Sequence, residues 1–382
     1  MGQLRTRKRW STWQYSFEAA PIDGKRKSIS KGGFRTKAEA LAAGALALSE
    51  YNASGQSFTP SDISVADFLD YWLDHYCKMN LKYNTQLGYL QVIETHLKPR
   101  FGQYRLKSLA TATIQDYIDK LKVYGMARTT ITNILSVLSG AYEYAIEPMK
   151  FVRENPCSRV RIPKFEKRSS DRVIIRPEDF NKILERFPQE SQFHLPLMIG
   201  YYTGLRIGEV FALTWDDIDF ENRTLSVRHN IVKRNYGVDV RKVLKEKGKK
   251  EEKSAWYFST PKTESSVRTI KFGDTLYAAL KYALTVQKKN RLIYGEYYTE
   301  HYMKAEKDEK GDTIYRIIPV ERNIPCTLPR VDMVCVRENG EYVSSDSFKF
   351  CARIIHHELH MEFNFHSLRH THATMLIENG AN

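Results

Sequence analysis

Three separated stretches of this sequence carry side chains that could grip and break a phosphodiester. The first is Thr203-Gly204-Leu205-Arg206-Ile207-Gly208-Glu209-Val210. Gly204 permits a tight turn ahead of a helix and puts Arg206 at the helix start, where a guanidinium can hold two phosphate oxygens at once. Glu209, three residues on, shares that helical face and can orient a neighbour. Alone, such a turn is better read as an ordinary helical salt bridge. The second stretch is Thr260-Pro261-Lys262-Thr263-Glu264-Ser265-Ser266-Val267-Arg268-Thr269-Ile270. Lys262 falls at a turn entering a strand, and a lysine on a hairpin tip can reach a minor groove and protonate a leaving alkoxide. The bland alternative is an exposed loop lysine. The third is His366-x-x-Arg369, whose three-residue spacing puts imidazole and guanidinium on one helical face, both able to address one phosphate. His370 and His372 extend that cluster. Zinc is the competing reading, with His356, His357 and His360 as further ligands. No His-Glu-x-x-His motif and no cysteine at ligand spacing supports it. Those three histidines are expected to decorate a helix or touch nucleic acid.

Two arginines, a lysine, a histidine and an acid form a set suited to phosphoryl transfer on DNA without metal. Cationic side chains replace Mg²⁺ in neutralising the charge that develops on phosphorus. Neither a metal nor a cofactor is expected. The whole chain agrees in sign: 59 Lys+Arg oppose 45 Asp+Glu over 382 residues, a formal charge of +14. Such an excess calls for a polyanionic partner, with nucleic acid the default. Hydrophobic residues make up 42% and aromatics 12%, which excludes wholesale disorder. No apolar run approaches the roughly 18–20 residues of a membrane span, and no signal peptide opens the chain. Cys77, Cys157, Cys326, Cys335 and Cys351 are scattered, as reduced thiols of a cytosolic protein would be.

The elements that must position these residues fall into three units. Residues 1–56 read as a β-β-α module: Trp13, Tyr15 and Phe17 alternate with polar residues, Asp23-Gly24 makes a hairpin turn, and Lys25 to Ser30 return. Thr36 and Glu39 then form a capping box opening a helix to about Tyr51. Lys25, Arg26, Lys27, Lys31, Arg35 and Lys37 crowd the hairpin, leaving one sheet face free to enter a DNA groove. A linker rich in Ser, Gly and Pro covers 53–62. Residues 61–158 read as all-helical, with a Ser64/Asp67 capping box, a stripe of Val65, Phe68, Leu69, Trp72, Leu73 and Tyr76, and helices over Asn84–Leu97, Thr111–Tyr124 and Arg128–Ile146. Residues 159–176 form a basic tether bearing Arg159, Arg161, Lys164, Lys167, Arg168, Arg172 and Arg176, able to follow a phosphate backbone. The third unit, 173–382, opens on a helix at Pro177-Glu178-Asp179. It continues with a helix through Leu195–Tyr202, strands at Leu225–Arg228, Ala255–Phe258 and Val267–Phe272, and insertions at about 236–253 and 290–330. A hairpin at Asn339-Gly340 joins strands Val334–Glu338 and Glu341–Val343. A last helix carries the His-x-x-Arg box.

Gly204-Leu205-Arg206-Ile207-Gly208-Glu209 and His366-Ser367-Leu368-Arg369-His370-Thr371 resemble the two signature boxes of the tyrosine recombinases, the phage and transposon integrase family. Thr260-Pro261-Lys262-Thr263 resembles that family's β-hairpin lysine motif, and the likeness covers essentially the whole chain. It implies a multidomain α+β fold: a small β-sheet plus helix as an arm-type DNA-binding module (1–56), an all-helical core-binding domain (61–158), a basic linker (159–176) and a mixed, mainly helical catalytic domain with a small antiparallel sheet (173–382). In that family's chemistry Arg206 and Arg369 would clamp the scissile phosphate. Lys262 would be the general acid for the 5′-hydroxyl, His366 would assist, and Glu209 would match the family's acidic position. Strand cleavage would pass through a 3′-phosphotyrosyl link, which stores the bond energy and needs neither ATP nor metal. The implied partners are double-stranded DNA at core and arm attachment sites, further recombinase subunits in a tetramer on paired sites, and an excision factor. The implied setting is the bacterial cytoplasm and nucleoid, away from any membrane.

One departure stands out. The family places its nucleophilic tyrosine a few dozen residues beyond the His-x-x-Arg box, whereas no tyrosine follows Tyr342 in these 382 residues. Tyr342 precedes the box beside a turn and is not expected to be the nucleophile. As written, the polypeptide is expected to bind DNA without cleaving it. The alternative reading is a non-catalytic DNA-binding protein that occupies attachment sites.

Overall fold

A computed structural model describes residues 4–22, 25–54, 63–166, 173–235, 254–259, 267–308 and 310–380. The chain divides into two compact units, Met1–Glu166 and Lys167–Asn382.

The first unit opens on a three-stranded antiparallel sheet, β1 (Arg5–Arg9), β2 (Thr12–Ile22) and β3 (Lys25–Phe34), in the order β1-β2-β3. Helix α1 (Lys37–Ser54) packs on one face, over Tyr15 and Phe17, which are 3% and 2% exposed. Gly44 makes that approach possible, because a Cβ there would lie 2.7 Å from Leu4 and 2.9 Å from Tyr15. The expected two strands are therefore three. Arg-Thr-Arg-Lys-Arg forms β1 without one apolar residue to mark it, paired residue for residue with Thr12 to Ser16. The capping box is half as expected: Thr36 Oγ1 accepts the Glu39 N–H at 3.1 Å, while Glu39 reaches back to the N–H of Arg35 rather than Thr36. Asp23 and Gly24 lie outside the described residues.

Helix α2 (Val65–Trp72) starts on Ser64, whose hydroxyl accepts the Asp67 N–H. It continues through a π-turn, Leu73–Cys77, into α3 (Lys78–Asn80). The expected stripe holds as far as Leu73 and then shifts. A π-turn adds a residue to the repeat, so Cys77 turns into the core and Tyr76 turns out, 37% exposed and stacked on Trp72. Helix α4 (Tyr83–Val92) runs through a second π-turn, Ile93–Leu97, into α5 (Lys98–Phe101). Then α6 (Thr111–Val123) and α7 (Arg128–Ile146) follow. Tyr142 satisfies its buried hydroxyl by donating to the Leu106 carbonyl at 2.9 Å. The start of the basic tether is not loose: Gln115 on α6 accepts the Arg161 N–H at 2.8 Å and donates to its carbonyl at 2.9 Å.

The second unit begins with α8 (Pro177–Arg186), proline first and Glu178 and Asp179 in the opening turn, and α9 (His194–Thr203), followed by the single-turn α10 (Ile207–Val210). Two antiparallel sheets follow, where one small sheet was expected. One is three-stranded: β4 (Ile218–Asp219), β5 (Thr224–Val227) and β8 (Arg268–Lys271), in the order β4-β5-β8. The other has five strands in the order β11-β9-β10-β7-β6, from β6 (Asn230–Asn235), β7 (Ser254–Ser259), β9 (Thr299–Lys307), β10 (Thr313–Glu321) and β11 (Arg330–Val331). The polar stretch 290–330, expected as an insertion, thus supplies the end of α11 (Asp274–Tyr294) and three strands of that sheet. Ile231, Phe258, Ile317 and Val331 bury its inner face in the main core. The insertion at 236–253 lies outside the described residues.

Two further expectations change. β7 pairs with β6 and β10, and β8 with β5, so the strands flanking 260–266 do not pair as a hairpin. The Asn339-Gly340 turn forms and its arms pair, the Arg337 N–H donating to the Glu341 carbonyl at 2.8 Å and the Val343 N–H to the Cys335 carbonyl at 3.0 Å, but the pairing is a single bridge, Val336 to Tyr342, and not two full strands. Its flanks are engaged elsewhere: the Thr299 N–H donates to the Asn339 carbonyl and the Val334 N–H to the Leu213 carbonyl. Helices α12 (Ser345–Glu358) and α13 (Phe365–Glu378) close the unit. Among the described residues no helix is long and apolar enough to cross a membrane. Cys77, Cys157, Cys335 and Cys351 are free and buried, and burial pushes their thiols up to about 12.

Candidate active site

The site is built where α9 ends, α10 begins and α13 crosses them. Gly204 takes φ +62° and closes α9 with its N–H on the Gly200 carbonyl. Only glycine adopts this turn readily. Glycines also let the helices meet: a Cβ on Gly200 would lie 2.8 Å from both Leu368 and Phe365, and one on Gly204 would lie 2.8 Å from His372.

Arg206 is then the N-cap of α10. The Glu209 carboxylate accepts the Arg206 backbone N–H at 3.0 Å and its guanidinium Nη1 at 2.9 Å. Glu209 is 3% exposed, and its second cation is Arg268 on β8, donating from Nη2 at 2.9 Å. Burial pushes the Glu209 carboxyl up, but Arg268 and Arg206 outweigh it and hold the group below its ordinary value. Gly208 fits α10 against β6, since a Cβ there would overlap Asn230 at 2.0 Å. Arg268 stood in the motif containing Lys262 but was not marked as a site residue. Its pairing with Glu209 spans 59 positions, and spacing along a sequence carries no signal for it.

From α13, Arg369 donates through Nη1 to the Gly204 carbonyl at 2.6 Å. His372 Nδ1 lies 3.2 Å from the Tyr201 carbonyl. The helix start is fixed by Asn364, which accepts the Ser367 N–H at 3.0 Å, and further along the helix Thr371 accepts the Ile175 N–H at 2.8 Å. His366 is exposed, and its ring meets that of His370 edge to face at 4.5 Å. Partial burial, then the charges of His370, Arg369 and Arg206, hold its imidazole below the ordinary 6.5. Burial and Arg206 likewise lower the Arg369 guanidinium. Arg206, Arg369 and His366 are thus brought within electrostatic reach of one another, with Glu209 and Arg268 behind Arg206. An anion arriving there relieves the mutual repulsion of the cations.

Lys262 lies outside the described residues, as do Lys167 and Arg168. Lys25, Arg26 and Lys27 fall on β3, and Arg35 follows it, exposed. Arg159, Arg161 and Lys164 lie on the segment bound to α6. Tyr342 is half-buried with its hydroxyl turned inward, donates to the Phe211 carbonyl at 2.8 Å, and has its phenol raised well above 10 by burial of that end. It holds the core and presents no nucleophile. Among the described residues no group of histidine, cysteine or carboxylate side chains could hold a metal ion.

Fold and site together define an integrase-type protein, with a sheet-and-helix module, a helical module, and a mixed unit that joins a helix-start arginine to a His-x-x-Arg helix. The chain belongs to the phage integrase family, whose profile matches residues 175–382. Residues 64–122 match the phage integrase N-terminal SAM-like domain and residues 5–51 the arm DNA-binding domain. It is 26% identical over 326 residues to the tyrosine recombinase XerC-like protein of Caldanaerobacter subterraneus subsp. tengcongensis, covering 84% of this chain and 73% of that one. It is 23% identical over 251 residues to the transposase from transposon Tn916 of Enterococcus faecalis, covering 62% of this chain and 58% of the transposase. Among solved structures, the Tn1549 transposon integrase in complex with a circular intermediate DNA shares the fold, with a TM-score of 0.59 and 22% identity over 84% of this chain and 88% of that one.

Proposed function

We propose that this chain is the site-specific recombinase of a mobile element, handling DNA by strand cleavage and rejoining through a 3′-phosphotyrosyl link. The observation that supports it most is the convergence of Arg206, Arg369 and His366 on one surface from helices far apart in sequence. In this reading the two guanidinium groups take the non-bridging oxygens of the scissile phosphate. A tyrosyl oxygen attacks phosphorus, the 5′-oxygen leaves, and Lys262 supplies its proton. His366, neutral beforehand, shares the charge of the pentavalent state. Glu209 and Arg268 hold Arg206 in place without touching DNA. Arg35, Arg159, Arg161 and Lys164, with Lys25, Arg26, Lys27, Lys167 and Arg168, supply phosphate contacts on arm and core sites. Further subunits on paired sites complete the assembly, with an excision factor setting direction, in the bacterial cytoplasm at the nucleoid.

In this reading these 382 residues bind DNA, and Tyr342, whose hydroxyl is given to the Phe211 carbonyl, is not the attacking tyrosine. A nicked suicide duplex tests both halves. The 382-residue polypeptide is expected to retard the duplex and form no covalent adduct, whereas one extended through the reading frame beyond Asn382 forms it. An adduct with the shorter polypeptide would overturn the inactive state. Binding without an adduct in the extended one would favour a protein that only occupies attachment sites.

A further inference from the structure

The turn between β1 and β2 carries the most exposed large apolar side chain among the described residues: Trp10 is 94% exposed. It is the first of two residues closing the Arg9–Thr12 pair, and its φ is +60°. Hairpins place glycine there, because a side chain at positive φ crowds its own backbone. Trp10 therefore strains the turn and leaves an indole in water, and neither helps the module fold.

Its surroundings identify what it meets. β1 pairs Arg5 with Ser16, Arg7 with Gln14 and Arg9 with Thr12. Tyr15 and Phe17 point to α1, so these pairs lie on the opposite face, where alternation also places Glu18 at the far end. Arg5, Arg7, Lys8 and Arg9 are exposed, and none is ion-paired to a carboxylate among the described residues. A row of arginines flanked by hydrogen-bonding side chains suits duplex DNA. An aromatic ring at the end of that row can stack where base or sugar edges are open.

We propose that Trp10 is an aromatic anchor for double-stranded DNA, packing its ring on the sugar and base edges at the rim of the groove that the Arg5, Arg7 and Arg9 face enters. The inference rests on the DNA-binding reading of the N-terminal module. The test uses the 382-residue chain and a duplex that it selects from a randomised pool. Trp10→Gly is expected to keep or raise the unfolding midpoint, since glycine suits the turn. It should bind about tenfold more weakly with an unchanged salt slope, as loss of one packing contact does. Trp10→Phe retains most of the affinity. The triple variant Arg5→Ala, Arg7→Ala, Arg9→Ala reports on the face itself and should flatten the salt slope by about 3. If no duplex is selected, or the triple variant binds like the parent, the DNA reading of this module fails. If the triple variant loses binding while Trp10→Gly does not, the anchor is overturned and the DNA reading stands. Loss in Trp10→Gly together with a lowered midpoint or an altered salt slope also overturns it.

Discussion

Arg369 donates to the carbonyl oxygen of Gly204 at 2.6 Å, across 165 positions of sequence. The acceptor lies two residues before Arg206, so the turn that presents one guanidinium also orients the other. A phosphate would meet two guanidinium groups already held by the fold, with less loss of side-chain freedom than two independent arginines would suffer.

Replacing either arginine therefore tests the clamp. Arg206→Ala and Arg369→Ala should each weaken DNA binding by several-fold and reduce the salt slope by about 1, the signature of one lost phosphate contact. Fluorescence anisotropy across a salt series checks this. Unchanged slopes in both variants would remove these residues from the phosphate.

Glu209 ties two cations in a buried position, and removing its charge strands both. Glu209→Gln should cost about 2 kcal/mol at neutral pH, with more of the loss on the Arg268 side because Arg206 is half-exposed. The folded-state carboxyl is held below its ordinary value, so its stabilisation is present above that value and disappears as pH falls through the lowered one. Chemical denaturation at a series of acidic pH values should show parent and variant converging as pH falls. A gap independent of pH would refute the ion-pair role.

The depressed imidazole of His366 makes a second pH prediction. Held below 6.5 by burial and by neighbouring cations, it is neutral at pH 7 in the free protein. A bound phosphodiester offsets those cations and should raise it. Histidine ring NMR with and without duplex DNA reads the change; a titration midpoint unmoved by DNA would place His366 away from the phosphate.

Helix α13 meets α9 at a glycine notch. Gly200→Ala would push a methyl group into Leu368 and Phe365, both buried, costing about 1–3 kcal/mol. A unit of this size should then melt several degrees lower, at about 2–4 °C per kcal/mol. Because the displaced helix carries Arg369, DNA affinity should fall with the midpoint. A variant as stable as the parent would show that the helices can part at no cost.

Local rules carried some elements and not others. Helix α7 was readable because Ile131, Ile134, Val137, Leu138, Ala141 and Tyr142 recur at helical spacing and are all buried. His366 and Arg369 were readable because three residues on a helix define one face. Strand β1 was not, since five polar residues have no inward face to announce a period of two; its partner strand decides its conformation. Strands β9 and β10 read as an insertion for the same reason, charged and tyrosine-rich on one side, though Ile317 and Met303 reach the core. Arg268 escaped notice because its meaning depends on Glu209, which only the folded chain brings to it.

Strands β7 and β8 belong to different sheets, and residues 260–266 run from one to the other. Both sheets close on one core, in which Leu225 and Val227 of β5 meet Ile231 of β6 and Phe258 of β7. β7 is laced to β6 and β10 on one bank, and β8 is fastened to Glu209 through Arg268 on the other. Each sheet also reaches the turn that presents Arg206, β8 through Arg268 and Glu209 and β6 through the notch at Gly208, so a shift in either sheet is felt at the same guanidinium.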